Sequence, residues 1–251
     1  MHLEEFAEGE SFFHRLDPRV KLLTLGPYTA VIAVAHDPVV PLAALVLSSV
    51  MAVVAGLDRK KLLNRLAAVN IFVLMLWLFI PFGYPGEELF FAAGPLTVTK
   101  EGIVYVLTIT MKTNAIVVAT IAMLGTSEIF SLAHAFVHLK APGKLVHLFF
   151  FFYRYISVLH EEYSRLRRAM KMRSFRPRTN MHTYKSYAWL VGMLLVSSYE
   201  RSRRIYNAML CRGFSGRFPV IDHFSLRKHD IIFGVLMSTV TITFVIILTL
   251  S

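Results

Sequence analysis

Apolar residues in this chain gather into long runs, where a soluble domain would show alternating or one-sided patterns. Five runs stand out: Val20–Ala35, Val39–Leu57, Val69–Phe82, Ile103–Gly125 and Ile231–Leu250. A bilayer span needs about 20 mostly apolar residues, and each run approaches that length, so the pattern predicts five transmembrane helices. His36-Asp37-Pro38 separates the first two as a tight turn, because proline cannot continue a helix and pushes its predecessor out of the α region. Those two helices are expected to be antiparallel neighbours. After the fourth run the pattern changes: Thr126 or Ser127 offers a helix N-cap, Ile129–Leu139 is interrupted by His134 and His138, and Pro142-Gly143 breaks it. Leu145–Leu159 is rich in Phe yet holds Arg154, and Ala188–Val196 is only about half a span. The expected fold class is an all-α integral membrane protein with about five transmembrane helices. Its expected organisation is an N-terminal segment and four spans over 1–125, a cytoplasmic or interfacial region over 126–228, and a last span over 229–251.

Composition agrees, with 55% hydrophobic and 17% charged residues and a mean hydropathy of +0.55. Charge then sets the sidedness. Between Glu161 and Lys228 fifteen basic residues stand against four acids, 15 − 4 = +11, which equals the net charge of the whole chain. A basic segment between hydrophobic spans marks the cytoplasmic side, and nucleic acid is not an expected partner. Arg15, Arg19 and Lys21 precede the first span, and Arg59, Lys60, Lys61 and Arg65 follow the second, whereas Gly83–Lys100 carries Glu87 and Glu88 and only Lys100. The N-terminus is therefore expected inside, Gly83–Lys100 outside and the C-terminus outside, with Ala188–Val196 lying at the interface as a short joint between two cytoplasmic basic arms. Met1–Phe12 lacks the features of a cleaved signal peptide.

Within the basic region one pattern occurs twice, 39 residues apart: Ala169-Met170-Lys171-Met172-Arg173-Ser174-Phe175 and Ala208-Met209-Leu210-Cys211-Arg212-Gly213-Phe214. The register extends upstream, since Glu161 and Arg165 correspond to Glu200 and Arg204. Glu, Arg, Ala and Arg at every fourth position draw one stripe along a helix, acidic at its start and basic at its end. Two matched arginine-tipped helices predict two matched receivers. Glu161–Arg165 and Glu200–Arg204 are expected as i,i+4 pairs worth a few tenths of a kcal/mol.

These residues carry a resemblance. Phe13-His14-Arg15-Leu16-Asp17-Pro18-Arg19-Val20-Lys21-Leu22-Leu23 is similar to the opening of the transmembrane (T) component of energy-coupling factor transporters. Met172-Arg173-Ser174 and Cys211-Arg212-Gly213 resemble the paired Arg-centred tripeptides of that family's coupling helices, and Gly94–Gly102 and Gly125–Glu128 are similar as well. The family motif is usually Ala-Arg-Gly, so Met172 and Cys211 replace Ala, and Ser174 replaces Gly; the arginines are intact. Overall texture is most like the cobalt-transport subunit Q. The resemblance implies a coupling subunit of an ATP-driven importer in a prokaryotic cytoplasmic (inner) membrane. Its implied partners are two ATP-binding cassette ATPases, a membrane substrate-binding (S) subunit, optionally a small accessory membrane subunit, and the lipid bilayer. No cofactor belongs to this chain: ATP and Mg sit on the ATPases, and Co2+ or Ni2+ on the substrate-binding subunit. It also implies that Arg173 and Arg212 pin into ATPase grooves, with Met172, Ser174, Cys211 and Gly213 flanking them. Ala169 and Ala208 would permit close approach, and Phe175 and Phe214 would act as apolar anchors.

Other functions find less support in the residues. A vitamin importer, for biotin as an example, uses the same kind of subunit. An intramembrane metal enzyme could draw on His134 and His138, i and i+4 apart, with His147 and His160, but no Glu or Asp lies between the first two, and His160-Glu161-Glu162-Tyr163 lacks the second His of a zinc-protease helix. Met1-His2 could ligate a divalent metal, although that start resembles the substrate-binding subunit of cobalt systems. No phosphate-binding glycine loop of the Walker type is present, so ATP hydrolysis is not expected here. A stand-alone cation carrier needs ionisable groups in its spans, whereas Lys112 and Asn114 are the main polar interruptions. Cys211, the one cysteine, leaves no intrachain disulfide.

Overall fold

The computed structural model describes residues 9, 11–83, 89–93, 96–138, 142–216 and 226–250. Helices occupy all five expected spans: α2 (Pro18–Val34), α3 (Val39–Val54), α4 (Arg59–Gly83), α5 (Lys100–Met123) and α9 (Lys228–Leu250), with α1 (Phe12–Arg15) before them. Between α5 and α9 lie α6 (Ile129–His138), α7 (Gly143–Met172) and α8 (Met181–Cys211). The fold is all-α apart from a small antiparallel hairpin, β1 (Leu89–Ala93) with β2 (Leu96–Thr99), in the connection between α4 and α5. Among the described residues three helices, α4, α5 and α9, are long and apolar enough to cross a bilayer on their own. With 17 and 16 residues, α2 and α3 are only about 25 Å long, a little under the hydrocarbon thickness.

The chain divides into two compact units, Lys140–His223 and the rest. In the unit that holds the spans, α6 packs with α2, so the histidine-bearing segment belongs beside the membrane helices. α2 is joined to α3 by a tight connection and its Tyr28 hydroxyl donates to the Ala44 carbonyl at 3.1 Å. The larger contacts run elsewhere, α2 against α9 and α3 against α5. Small residues explain the second of these, because Ala44, Ala115, Ala119 and Ala122 are buried and let helix backbones approach closely. The core continues through Leu25, Ile32, Met51, Met123, Met237 and Phe244. Outside, α4 exposes Ile71 (74%), Phe72 (68%) and Leu78 (63%), a face that suits lipid.

The polar side chains that interrupt α5 have partners on neighbouring helices. Asn114 and Asn70 exchange amide hydrogen bonds of 2.9 and 3.0 Å between α5 and α4, and each also donates to the carbonyl four residues back. Lys112 Nζ donates to the Ala33 carbonyl at 3.2 Å. The two polar interruptions of the fourth span thus tie helices together, which accounts for them without an ion path.

One carboxylate joins two helix starts. Asp230 Oδ2 accepts from the Arg227 N–H at the N-cap of α9, and its Oδ1 accepts from the Asp17 N–H at the N-cap of α2, both at 2.8 Å. The N-termini of α2 and α9 therefore share one end of the unit. Lys21 brings the C-terminal end of α5 there too, through hydrogen bonds to Thr126 and Ser127. That order fits a chain whose first and last spans run the same way.

Candidate functional site

The second unit is built on α7 and α8, and these correct the sequence reading of the region. Ala188–Val196 is not a separate joint; it is the middle of a continuous 31-residue α8, and the Phe-rich Leu145–Leu159 is the first half of a 30-residue α7. The 39-residue offset takes Gly143 to position 182 and Met172 to 211, within one residue of both ends of α8. The duplicated element is thus a whole helix, apolar in its first half and basic in its second. Asn180 starts α8 by accepting from the Thr183 N–H at 2.9 Å, and the Thr183 hydroxyl closes the preceding loop by accepting from the Arg178 N–H at 3.0 Å.

Both copies of the motif end their helices in the same way. Ser174 and Gly213 adopt φ of 60° and 79°; their N–H groups donate to the Lys171 and Leu210 carbonyls at 3.0 Å. The next residues, Phe175 and Phe214, donate to the Met170 and Met209 carbonyls at 3.1 Å. This is a Schellman termination with Arg173 and Arg212 as the C-cap residues. It explains most of the pattern: the small residue turns left-handed, and the Phe after it folds back towards the Met three positions before the cap. Phe175 is half-buried, its ring 5.9 Å from Tyr187 edge-on and 6.2 Å from His182. Phe214, also half-buried, lines a groove with Met209, Phe151 and Tyr155. The rings anchor their own helix ends and present only part of their surface to a partner.

The cap needs no arginine. Yet Glu161, Arg165, Ala169 and Arg173 are all exposed, and so are Glu200, Arg204, Ala208 and Arg212. Met172, 89% exposed, stands beside Arg173, and Cys211 is exposed beside Arg212. Along the stripe Arg204 lies 3.7 Å from Glu200, as expected, whereas Arg165 pairs with Glu162 in place of Glu161. Glu162 is the half-buried acid at the helix pair and so offers the better-fixed partner.

Two clefts show how α7 and α8 meet. Residues between Phe151 and Glu162 of α7 share one cleft with residues between Ser197 and Met209 of α8. Leu166–Met170 shares the other with Ser186–Met193. The helices therefore run antiparallel and cross between these stretches, touching over a short length. Arg173 and Arg212 lie on opposite sides of the crossing, about 14 Å and about 25 Å along their respective axes. Arg173 and Arg212 are both exposed, each at the carbonyl end of its helix, where a cation is favoured.

The two caps predict opposite stability changes. A left-handed conformation costs a residue with a side chain about 1–2 kcal/mol relative to glycine. Ser174→Gly is expected to raise the thermal midpoint of the purified protein and Gly213→Ser to lower it, read by a melting scan in detergent.

The metal-enzyme reading gains nothing from this geometry. His134 is buried in α6, and the side chains of His138 and His147 lie outside the described residues, as do Met1 and His2. Among the described residues no group of three potential metal ligands converges.

Sequence reasoning missed a buried polar cluster in the spanning unit. Lys21, expected as a flanking positive charge, is fully buried in α2, and Asp17 and Asp230 are buried close by. Lys21 Nζ donates to Ser127 Oγ at 2.6 Å and to Thr126 Oγ1 at 3.2 Å. Those hydroxyls turn back onto the Ala122 and Met123 carbonyls and are engaged with α5 and Lys21, in place of the expected capping of α6. The Phe13–Lys21 segment was the available signal. Phe13 stacks edge-on with Phe233 of α9 at 5.5 Å, Leu16 is buried, and Asp17 caps α2 by accepting from the Arg19 N–H at 2.9 Å.

Residues 9–224 match the family model described as cobalt transport protein (CbiQ). The chain is 29% identical to the energy-coupling factor transporter transmembrane protein EcfT of Staphylococcus aureus, over 94% of this chain and 90% of that protein. The proteins of the same name from Leuconostoc gelidum and Brevibacillus brevis are 26% and 25% identical, over 96% and 84% of this chain and 95% and 84% of theirs.

Proposed function

Since the chain belongs to the CbiQ cobalt transport protein family, with energy-coupling factor transmembrane components among its relatives, we propose that it is the subunit that transmits ATP-driven motion from two cytoplasmic ATPases to a membrane substrate-binding subunit. The protein itself is a non-catalytic transporter component. The observation that carries the reading is the pair of exposed C-cap arginines, Arg173 and Arg212, at opposite ends of two crossed helices of matched length. Each guanidinium would form bidentate, charge-assisted bonds with a carboxylate in one ATPase. Exposed Ala169 and Ala208 leave room for close approach, and Met172, Cys211, Ser174 and Gly213 form the flanks of the pins. When nucleotide closes the ATPase pair, both receivers move and carry the helix pair with them.

The membrane is the prokaryotic cytoplasmic membrane, with the N-terminus and both arginine tips inside, because the basic residues gather there. The solute is Co2+, with Ni2+ as the next candidate; the family description favours a transition metal over a vitamin such as biotin. Selectivity resides in the substrate-binding subunit. Purification of the tagged chain, co-expressed with its neighbouring genes, tests the whole reading. Two ATP-binding cassette ATPases and a small membrane protein are expected to co-purify, and the reconstituted complex is expected to take up labelled Co2+ only with ATP. A lone chain that carries Co2+ without ATP would contradict it.

A further inference from the structure

A lysine with no exposed surface is a costly element in a membrane-spanning unit, and Lys21 is one. Stability alone does not require it, since replacing a buried ionic cluster by apolar side chains of similar volume is often neutral or favourable. Its position is more informative. The chain passes from the spanning unit to Lys140–His223 after α6 and returns before Arg227. Lys21 holds the outgoing passage by Thr126 and Ser127, directly ahead of α6. Asp230 holds the returning passage by the Arg227 N–H, and the same carboxylate holds the N-cap of α2 through the Asp17 N–H. Asp17, the N-cap of α2, stands one helical turn ahead of Lys21, so both ties meet on the first turn of the same helix. Outgoing chain, returning chain and first span are thus joined at one polar knot, with two of the ties made to backbone N–H groups, which fix the main chain itself.

We propose that Asp17, Lys21 and Asp230 are the positioning residues through which movement of the α7–α8 pair is passed to the spans. This rests on the coupling role proposed above. A pull on the returning passage arrives at the knot at once, and a pull on the outgoing passage arrives there through α6, which itself packs on α2. While the knot holds, α2, α9 and the end of α5 move as one body. Without it, the passages give locally and the spans stay still. The knot therefore sets how much of the ATPase stroke reaches the solute path, and it touches neither nucleotide nor solute.

The test uses the complete complex, with ATPases and substrate-binding subunit, reconstituted in liposomes. Lys21→Met keeps the volume and removes the charge; Ser127→Ala removes the 2.6 Å bond, together with the hydroxyl's long contact to the Met123 carbonyl, and guards against loss of folding in the first variant. Both are expected to co-purify with their partners and hydrolyse ATP at near the wild-type rate. Co2+ uptake per ATP hydrolysed is expected to fall about tenfold for Lys21→Met, within the range of coupling energies between distant sites, and less for Ser127→Ala. Lys21→Arg, which retains the charge, is expected to recover part of the ratio. An unchanged ratio in both variants overturns the proposal, and so does a loss of uptake, hydrolysis and melting temperature in parallel, which marks a structural role only. Arg173→Ala prepared alongside separates this from the underlying reading. If it leaves ATPase association intact, the coupling role itself fails; if it weakens association while the knot variants keep the wild-type ratio, only the knot proposal fails.

Discussion

Alanine at both Arg173 and Arg212 is expected to abolish ATP-driven uptake and to release the ATPases during purification. In the proposed coupling role each substitution would remove one partner of a desolvated charge pair and leave a carboxylate buried and unmatched, a cost of about 2–5 kcal/mol. Every 1.4 kcal/mol is about tenfold in affinity, so a single substitution weakens its own contact by about 30-fold to several thousandfold. The other helix still holds its receiver, which is why the single variants should retain a fraction of assembly and the double variant almost none. Arg167 and Arg203, exposed and off the stripe, serve as controls. Their replacement should cost about 0–1 kcal/mol. Lysine at positions 173 and 212 keeps the charge and loses the planar fork, so it should rescue only in part. Uptake is read with labelled Co2+ and assembly by co-purification.

The capping geometry sharpens these expectations. Phe175, Phe214, Met170, Met209 and the left-handed Ser174 and Gly213 are all engaged in ending their helices. A change at any of them moves the arginine along with the helix end, and its effect on transport mixes stability with contact. The cap leaves the exposed Ala169, Ala208, Met172 and Cys211 outside as well, but among these positions the arginines alone carry a charge. Their substitution is the clean probe of the interface.

The spans were legible in the sequence because a bilayer imposes a length and a polarity that few other folds demand. Asn114 and Lys112 were visible as interruptions, but their partners Asn70 and Ala33 were not, since helix pairing in lipid depends on small and polar contacts that leave no period. The repeat gave the arginines and their shared stripe. It did not give the full extent of α8, because the apolar stretch Ala188–Val196 is equally compatible with a short interfacial piece and with one face of a longer helix. Lys21 was misjudged for a related reason. A lysine beside a span ordinarily reports sidedness, and the partners that hold this one, Thr126 and Ser127, lie 105 and 106 residues away in sequence.

The central claim is that each arginine tip enters a separate ATPase. A photo-crosslinking residue placed at position 172 or at position 211, beside each arginine and exposed in both cases, tests it without disturbing the pins. Met172 and Cys211 precede the left-handed residue, so an aromatic photoprobe there meets no backbone constraint of the cap. In the intact complex, irradiation is expected to link each position to an ATPase subunit, with the two positions reaching different copies and together giving a species that contains both. A probe at position 203, off the stripe, is expected to give lipid adducts or none. Crosslinks from 172 and 211 to lipid alone, with no ATPase adduct from either, would contradict the account.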